Sequence, residues 1–333
     1  YVMSPQELNA YLRNQYAPVY KLAQKSLDSI SELGYNTHSD EHIDRVTDAT
    51  HYLLKAGGYS ESVQRRGIAA ARAHDLGNLI SRELHSIISP WMLARIVPGF
   101  LRDTEQWINI KRAILYHDSS VAEAILASWG SRTDEDPIDS MRRFGPEALA
   151  LIIADKVQIG RHRISEKTKN GANGGSAVDL DQHVEANLLG ETKGIRLSNT
   201  KRTLIWDINF TPDISGEDLK IFEHLATKRN SHKGYKATIS GQTDALRKND
   251  LLSISHFSTW ESLFWKLYLD RVKTMNLAAF ALYPKLDTIT ISMHDNLVED
   301  GQSNRTSTYS IYRKEVDQFI QKMQKIYEIK KKQ

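Results

Sequence analysis

Through the first half of the chain, apolar residues recur every three or four positions, the spacing of amphipathic helices. Ser4-Pro5-Gln6-Glu7 is a capping box with proline at the first helical position. It opens a helix that Pro18 breaks or restarts, and Gly34 ends the second piece near Leu33. Ser39 or Asp40 caps the next helix, in which Ile43, Val46, Ala49, Leu53 and Leu54 keep helical spacing up to Gly57-Gly58. Arg66 to Asn78 is a helix of small and apolar residues that closes on His74-Asp75 and stops at Leu76-Gly77. The helical pattern continues over Ser81 to Ile88, with Pro90 and Pro98 as punctuation, then over Thr104 to Tyr116 and Val121 to Trp129. After the turn-rich Ser131 to Pro137, Pro146 to Ile164 reads as one helix. It is apolar nearly all round from Ala148 to Val157, which marks it as buried.

Beyond Ile164 the pattern changes. Ser165 to Ala177, with Asn170-Gly171-Ala172-Asn173-Gly174-Gly175, is either a surface loop or a lid, and Asp181 to Leu189 reads as a short helix carrying His183. Thr203 to Phe210, Lys236 to Ser240, Asp287 to Met293 and Thr306 to Tyr312 read as strands. Gly216 to Lys228, Trp260 to Leu282 and Lys314 to Ile329 read as helices between and after them, the aromatics of Trp260 to Tyr268 having the spacing of a helix packed on a sheet. The pattern therefore predicts a mainly α protein: helices over residues 1–165, a linker or lid over 166–200, and a smaller α+β domain of split βαβ type over 201–333. Ligand sensing, dimerisation into a homodimer and shaping of a pocket are the roles open to that second part.

Composition narrows the classes of function. With 333 residues, 40% hydrophobic and 26% charged, the chain has the make-up of a globular protein of one large or two ordinary domains. A formal charge of +3 demands neither nucleic acid nor an anionic membrane as partner. No apolar run approaches a membrane span, and the start of the chain lacks a basic-then-apolar leader, so a cytoplasmic address is expected. There is no cysteine, so a metal would have to be held by His, Asp or Glu.

Those residue types gather at a few places. An imidazole beside a carboxylate at the buried end of the His74-Asp75 helix needs a partner, since an unpaired ionised Asp there costs several kcal/mol. A His-Asp hydrogen bond capping the helix answers that need, and so does a divalent cation. Asp155, in the middle of the apolar helix, must likewise be paired, protonated or coordinated. Lys156 is one position round and points elsewhere, whereas Gln158 and His162 share the face of Asp155. Arg161 and Arg163 are either a solvated helix end or the holders of an anion. His38 and His42, four apart, share a face if their helix starts early enough.

His42 in HIDRV, His74-Asp75 in AHDLGN and Asp155 in IIADK, in that order on successive helices, resemble the signature of the HD-domain superfamily of metal-dependent phosphohydrolases. The likeness covers roughly residues 30 to 165. It implies a metal site made by His42, His74, Asp75 and Asp155. His85 in ELHSIIS and His117 in AILYHD resemble the extra ligands of two-metal members, in which Asp75 would bridge. The resemblance further implies hydrolysis of a phosphomonoester or nucleotide-like substrate by a metal-activated water. One or two ions of Mn, Fe, Zn, Co or Ni suit such mixed imidazole and carboxylate ligands. Asp75, His38 and Lys156 are then the catalytic candidates, His38 for proton transfer. Arg161, His162 and Arg163 are the phosphate contacts, and Asp118 is a further candidate for supporting the ligands or contacting phosphate. Asn78 stands where many members have Lys or His, and the Gly-Tyr-Pro motif of the cyclic-dinucleotide branch is absent. Two other readings share the ligand set: a diiron oxygenase of the HD fold, and a regulatory module that holds a nucleotide without turnover.

Overall fold

Local capping chemistry decides where the helices begin. The computed structural model of the chain describes residues 2–31, 39–81, 84–118, 121–122, 125–126, 136–164, 187, 190–210, 274–295, 305–313 and 316. Helix α1 (Pro5–Ser31) opens on the capping box, with Ser4 N donating to Glu7 Oε2 at 2.8 Å and Glu7 N to Ser4 Oγ at 3.3 Å. Pro18 does not divide it. The ring removes one main-chain donor, but the turns before it are held by Leu8, Leu12 and Tyr16, which are fully buried. Helix α2 (Asp40–Gly57) is capped by Ser39, and α3 (Glu61–Ala73) by Ser60. A 3-10 turn, Leu76–Leu79, follows α3, and α4 (His85–Leu93) runs through Pro90. The helical segment expected at 81–88 thus lies further along, with Pro90 the sixth of its nine residues and not its stop. Helix α5 (Thr104–Tyr116) has the expected bounds; α6 (Pro137–Arg142) and α7 (Pro146–Lys156) complete the body.

Helix α7 is shorter than its apolar pattern suggests. It ends at Lys156, and the chain then turns at Gly160, whose φ of 145° lies where only glycine is comfortable, into a 3-10 turn over Arg161–Arg163. Gln158 and His162 therefore lie beyond the helix and not along its face. Every residue from Glu147 to Ala154 is buried, as the pattern requires.

Four strands form one mixed sheet in the order β1 (Gly190–Leu197), β2 (Thr203–Phe210), β3 (Thr288–Asp295) and β4 (Arg305–Tyr312). Strand β1 falls inside the stretch expected to be linker. It lacks a clean apolar alternation because a bulge between Thr192 and Gly194 shifts its parity, so that Thr192 and Leu197, five apart, are both buried. Strands β2 and β3 are parallel and hydrogen-bonded directly, Thr203 opposite Thr288 through Phe210 opposite Asp295. This overturns the split arrangement: no strand lies between them. Helical residues 274–282 lead into β3. The expected elements at Gly216 to Lys228, Lys236 to Ser240 and residues 260–273, most of Val121 to Trp129 and of Lys314 to Ile329, and the loop at Ser165 to Ala177 lie outside the described residues.

The inner face of the sheet, Leu204, Trp206, Ile208, Ile289, Ile291 and Met293, belongs to the same buried cluster as the helices. Polar staples cross the seam. Tyr59 Oη donates to Leu282 O at 2.6 Å, Tyr283 Oη to Leu53 O at 2.8 Å, and Leu197 N to Tyr52 Oη at 3.0 Å. On the outer face Asp207 accepts from Arg196 at 3.0 Å and lies 3.4 Å from His294 Nε2. Among the described residues no helix is long and apolar enough to cross a membrane. The chain is thus mainly helical with a smaller α+β part, as the hydrophobic pattern predicts.

Candidate metal centre

Five helix ends converge on one buried point. Ser39 Oγ accepts from His42 N at 3.3 Å, which fixes the first turn of α2 and turns His42 inward, fully buried. Helix α3 ends at Ala73, so His74 is its C-cap and Asp75 follows with φ −104° and ψ 2°. Ser89 on α4 staples this turn by accepting from Gly77 N at 2.8 Å and donating to His74 O at 2.9 Å. Gly77 permits the contact: a Cβ there would run into the backbone of His85, 2.7 Å from its Cα. His85 opens α4, His117 follows the last residue of α5, and Asp155 is the penultimate residue of α7.

Orientation of the rings is set by main-chain carbonyls. His74 Nδ1 lies 2.7 Å from Ala71 O and His117 Nδ1 2.5 Å from Ile114 O. A carbonyl only accepts, so each Nδ1 carries the proton and each Nε2 turns a lone pair inward. His74 Nε2 is buried without a hydrogen bond although Asp75 Oδ2 is 3.0 Å away.

Around Asp75 the donor atoms fall into two groups, His42-His74-Asp75 and Asp75-His85-His117. In the first, Asp75 Oδ2 is 3.0 Å from His74 Nε2 and 3.7 Å from His42 Nε2. Asp155 Oδ1 adjoins it, 3.5 Å from His42 Nε2 and 4.0 Å from His74 Nε2. In the second, Asp75 Oδ1 is 3.7 Å from His85 Nε2 and 3.9 Å from His117 Nε2, and those two nitrogens are 3.4 Å apart. Atoms bound about 2.1 Å from one ion stand roughly 3.0 to 3.5 Å from each other, so both groups are near the size of a coordination shell. An orphaned lone pair, two oriented imidazoles and one carboxylate shared through different oxygens fit a divalent metal. They do not fit a simple helix cap, which would need only one hydrogen bond.

The electrostatics favour the neutral form of His42 and His117 and the charged form of His74. Burial, reinforced by Arg163, holds His42 well below the usual imidazole range against the pull of Asp155 and Asp75. His117 is pushed down to about 3 by burial and by His74 and His85. For His74 burial acts downward, but Asp75 and Asp155 outweigh it and its pKa rises. Burial would raise Asp155, yet Lys156 and then His42 and His74 hold it well below the carboxylate range.

The other sequence-derived candidates divide. Lys156 Nζ meets Asp155 Oδ2 at 2.8 Å, so the expectation that it points away is corrected: it sits in the helix's last turn, where a long side chain folds back. Arg163 is buried with Nη1 2.7 Å from both nitrogens of His42 and 3.9 Å from Asp155 Oδ1. His162 is half-buried, its ring stacked 6.3 Å from that of His42. Arg161 is the first residue of the 3-10 turn. Asp118 is half-buried next to His117. Helix α2 begins at Asp40, so His38 precedes it; His38 lies outside the described residues. Two contributors escaped the sequence reading. Asn78 Nδ2 donates to Asp75 Oδ1 at 3.0 Å, and Ser89 holds the turn. The i+3 spacing of Asn78 from Asp75 was the available signal for the first; nothing in the sequence marks the second.

Comparison with protein-family models, with curated proteins and with solved structures finds no match. The residues themselves establish a helical body with a buried His/Asp cluster able to hold a metal ion.

Proposed function

We propose that the chain is a metal-dependent phosphohydrolase of HD type, acting on a small phosphomonoester or nucleotide-like phosphoester. The observation that carries this reading is Asp75, whose two oxygens each face a separate pair of imidazole nitrogens. His42, His74, Asp75 and Asp155 would hold one divalent ion and Asp75, His85 and His117 a second. Such ions lower the pKa of a bound water and polarise a phosphoryl oxygen.

The protein's part is orientation and charge. Asn78 restrains the carboxylate of Asp75 at Oδ1, and the two carbonyl-anchored imidazoles are set before any ligand arrives. Lys156 occupies Asp155 Oδ2 and leaves Oδ1 towards the histidines. Arg163 brings a fixed positive charge beside His42, of a geometry suited to phosphate oxygens, with His162 and Arg161 on the same turn. His38, preceding α2, is the proposed proton donor or acceptor. Asp155 has the most exposed side chain of the six, 15% against 0% for His42 and His74. A substrate therefore approaches over Asp155 with its phosphate leading, which favours a small molecule over a duplex.

The test is elemental analysis of protein purified without added metal, with an assay on a chromogenic phosphate ester, in wild type and Asp75→Ala side by side. One or two equivalents of transition metal and hydrolysis, both lost in Asp75→Ala, are expected. Full metal content and turnover in Asp75→Ala would sink the site assignment. Iron with dioxygen consumption and no hydrolysis would instead favour the oxygenase chemistry, and nucleotide binding without turnover a regulatory module.

A further inference from the structure

Between Asp155 and Arg163 the chain leaves α7, crosses seven residues and returns to His42. What holds that return is the first strand of the sheet. Thr192 N donates to Ile159 O at 3.1 Å, and Thr192 Oγ1 donates to Val157 O. The same hydroxyl accepts from Trp206 Nε1 at 3.2 Å and from Ile159 N at 3.5 Å. Next to it, Asn187 Oδ1 accepts from Gly160 N at 3.0 Å, and Gly160 O in turn accepts from Arg163 N at 3.0 Å. Glu191 reaches α2 one turn beyond His42, 3.2 Å from Arg45. Thr192 stands in regular register opposite Ile208, and the bulge follows it directly.

We infer that Thr192 is a positioning residue for the metal centre, setting where Arg163 stands against His42 by fixing the 157–163 segment to strand β1. The α+β part then serves the site directly as its rear wall. This rests on the phosphohydrolase reading for its kinetic consequence but not for its structural one. A hydroxyl that bonds Val157, Ile159 and Trp206 at once fixes the loop in one register. Valine in its place keeps the volume and loses all three bonds. Serine keeps them.

The experiment uses the full chain loaded with Mn²⁺, as wild type, Thr192→Val, Thr192→Ser, Asn187→Ala, Arg163→Gln and the Thr192→Val/Arg163→Gln double variant. Amide hydrogen exchange is read over residues 157–163, and kcat, KM and metal content are measured on a phosphate ester. Thr192→Val is expected to speed exchange in that segment while metal content stays at the wild-type level. KM should rise by about tenfold, the scale of a displaced binding group, with kcat changed far less. Asn187→Ala should act in the same direction and Thr192→Ser should restore wild-type behaviour. On the Arg163→Gln background Thr192→Val should add nothing further, since the group it places is gone. Unchanged exchange at 157–163, or effects of Thr192→Val and Arg163→Gln that multiply, would overturn the inference. Should wild type hydrolyse no phosphoester, the functional reading falls alone, and the exchange data still decide for or against Thr192.

Discussion

Asp75 is a small carboxylate asked to face two ways, and the residues around it are chosen to let it. Asn78 holds Oδ1, Ser89 pins the turn, and Gly77 lets the turn lie against the start of α4 where His85 stands. Gly77→Ala tests this close approach. Its methyl meets the main chain of His85 and cannot be relieved by a rotamer change, so a loss of about 1 to 3 kcal/mol is expected in denaturant unfolding. Metal titration should lose the second equivalent first, because His85 and Asp75 Oδ1 are the pair driven apart. Retention of two equivalents at unchanged affinity would show that the turn absorbs the methyl elsewhere.

At the scale of elements, most of the candidate ligands stand at helix ends, where the backbone leaves its regular path and side chains can converge from several directions. Helix α2 shows the dependence most plainly, since the N-cap bond that Ser39 Oγ accepts comes from the backbone N of His42 itself. Ser39→Ala should cost about 1 kcal/mol, the usual worth of such a cap, and should weaken metal binding beyond that of a matched Ser60→Ala control on α3. Equal metal affinity in the two variants would mean that packing of Ile43 and Val46 alone places His42. Helix α7 teaches the complementary lesson: its apolar run announces burial, but its end is decided by Gly160 and by strand β1, not by its own composition.

For the whole molecule, buried imidazoles tie stability to pH. His117 and His162 are pushed down to about 3, His162 by burial and then by Arg163 and Arg45, and His42 also lies well below its ordinary value. In the unfolded chain each titrates near 6.5, so between roughly 6.5 and 3 the unfolded state binds more protons and stability falls as pH falls. His74 opposes this: its raised pKa contributes stability that is fully present below 6.5 and is lost as pH rises through the folded value. Asp155, held low, adds its own loss as pH drops through and below the ordinary carboxylate value. His51 is lowered too, by burial, and the contribution of His74 is already complete below 6.5, so the melting temperature of metal-free protein should fall progressively from about pH 6.5 to about pH 5. With excess Mn²⁺ the protein should melt higher at neutral pH and show a steeper fall, because bound metal excludes protons from its ligands. Calorimetric scans across that range check both; a flat metal-free profile would mean that the folded cluster accepts the protons.

The sequence by itself determined the helical body, the buried character of α7 and the strands β2, β3 and β4 to within a residue or two, because each depends on periodicity and capping that are local. The ligand candidates were legible for the same reason: His42, His74-Asp75 and Asp155 sit at helix ends or on apolar faces where a polar residue demands an explanation. Only the tertiary structure decided the rest. That Asp75 divides its oxygens between two groups and that Ser89 belongs to the site turn on distances between separate elements; that Lys156 folds back on its neighbour Asp155, and Asn78 on Asp75 three residues before it, turns on side-chain rotamers that only the packed site selects. Strand β1 was hidden by its bulge, and its grip on residues 157–163 by a sequence separation of some thirty residues, where no local pattern records which backbone groups will find one another.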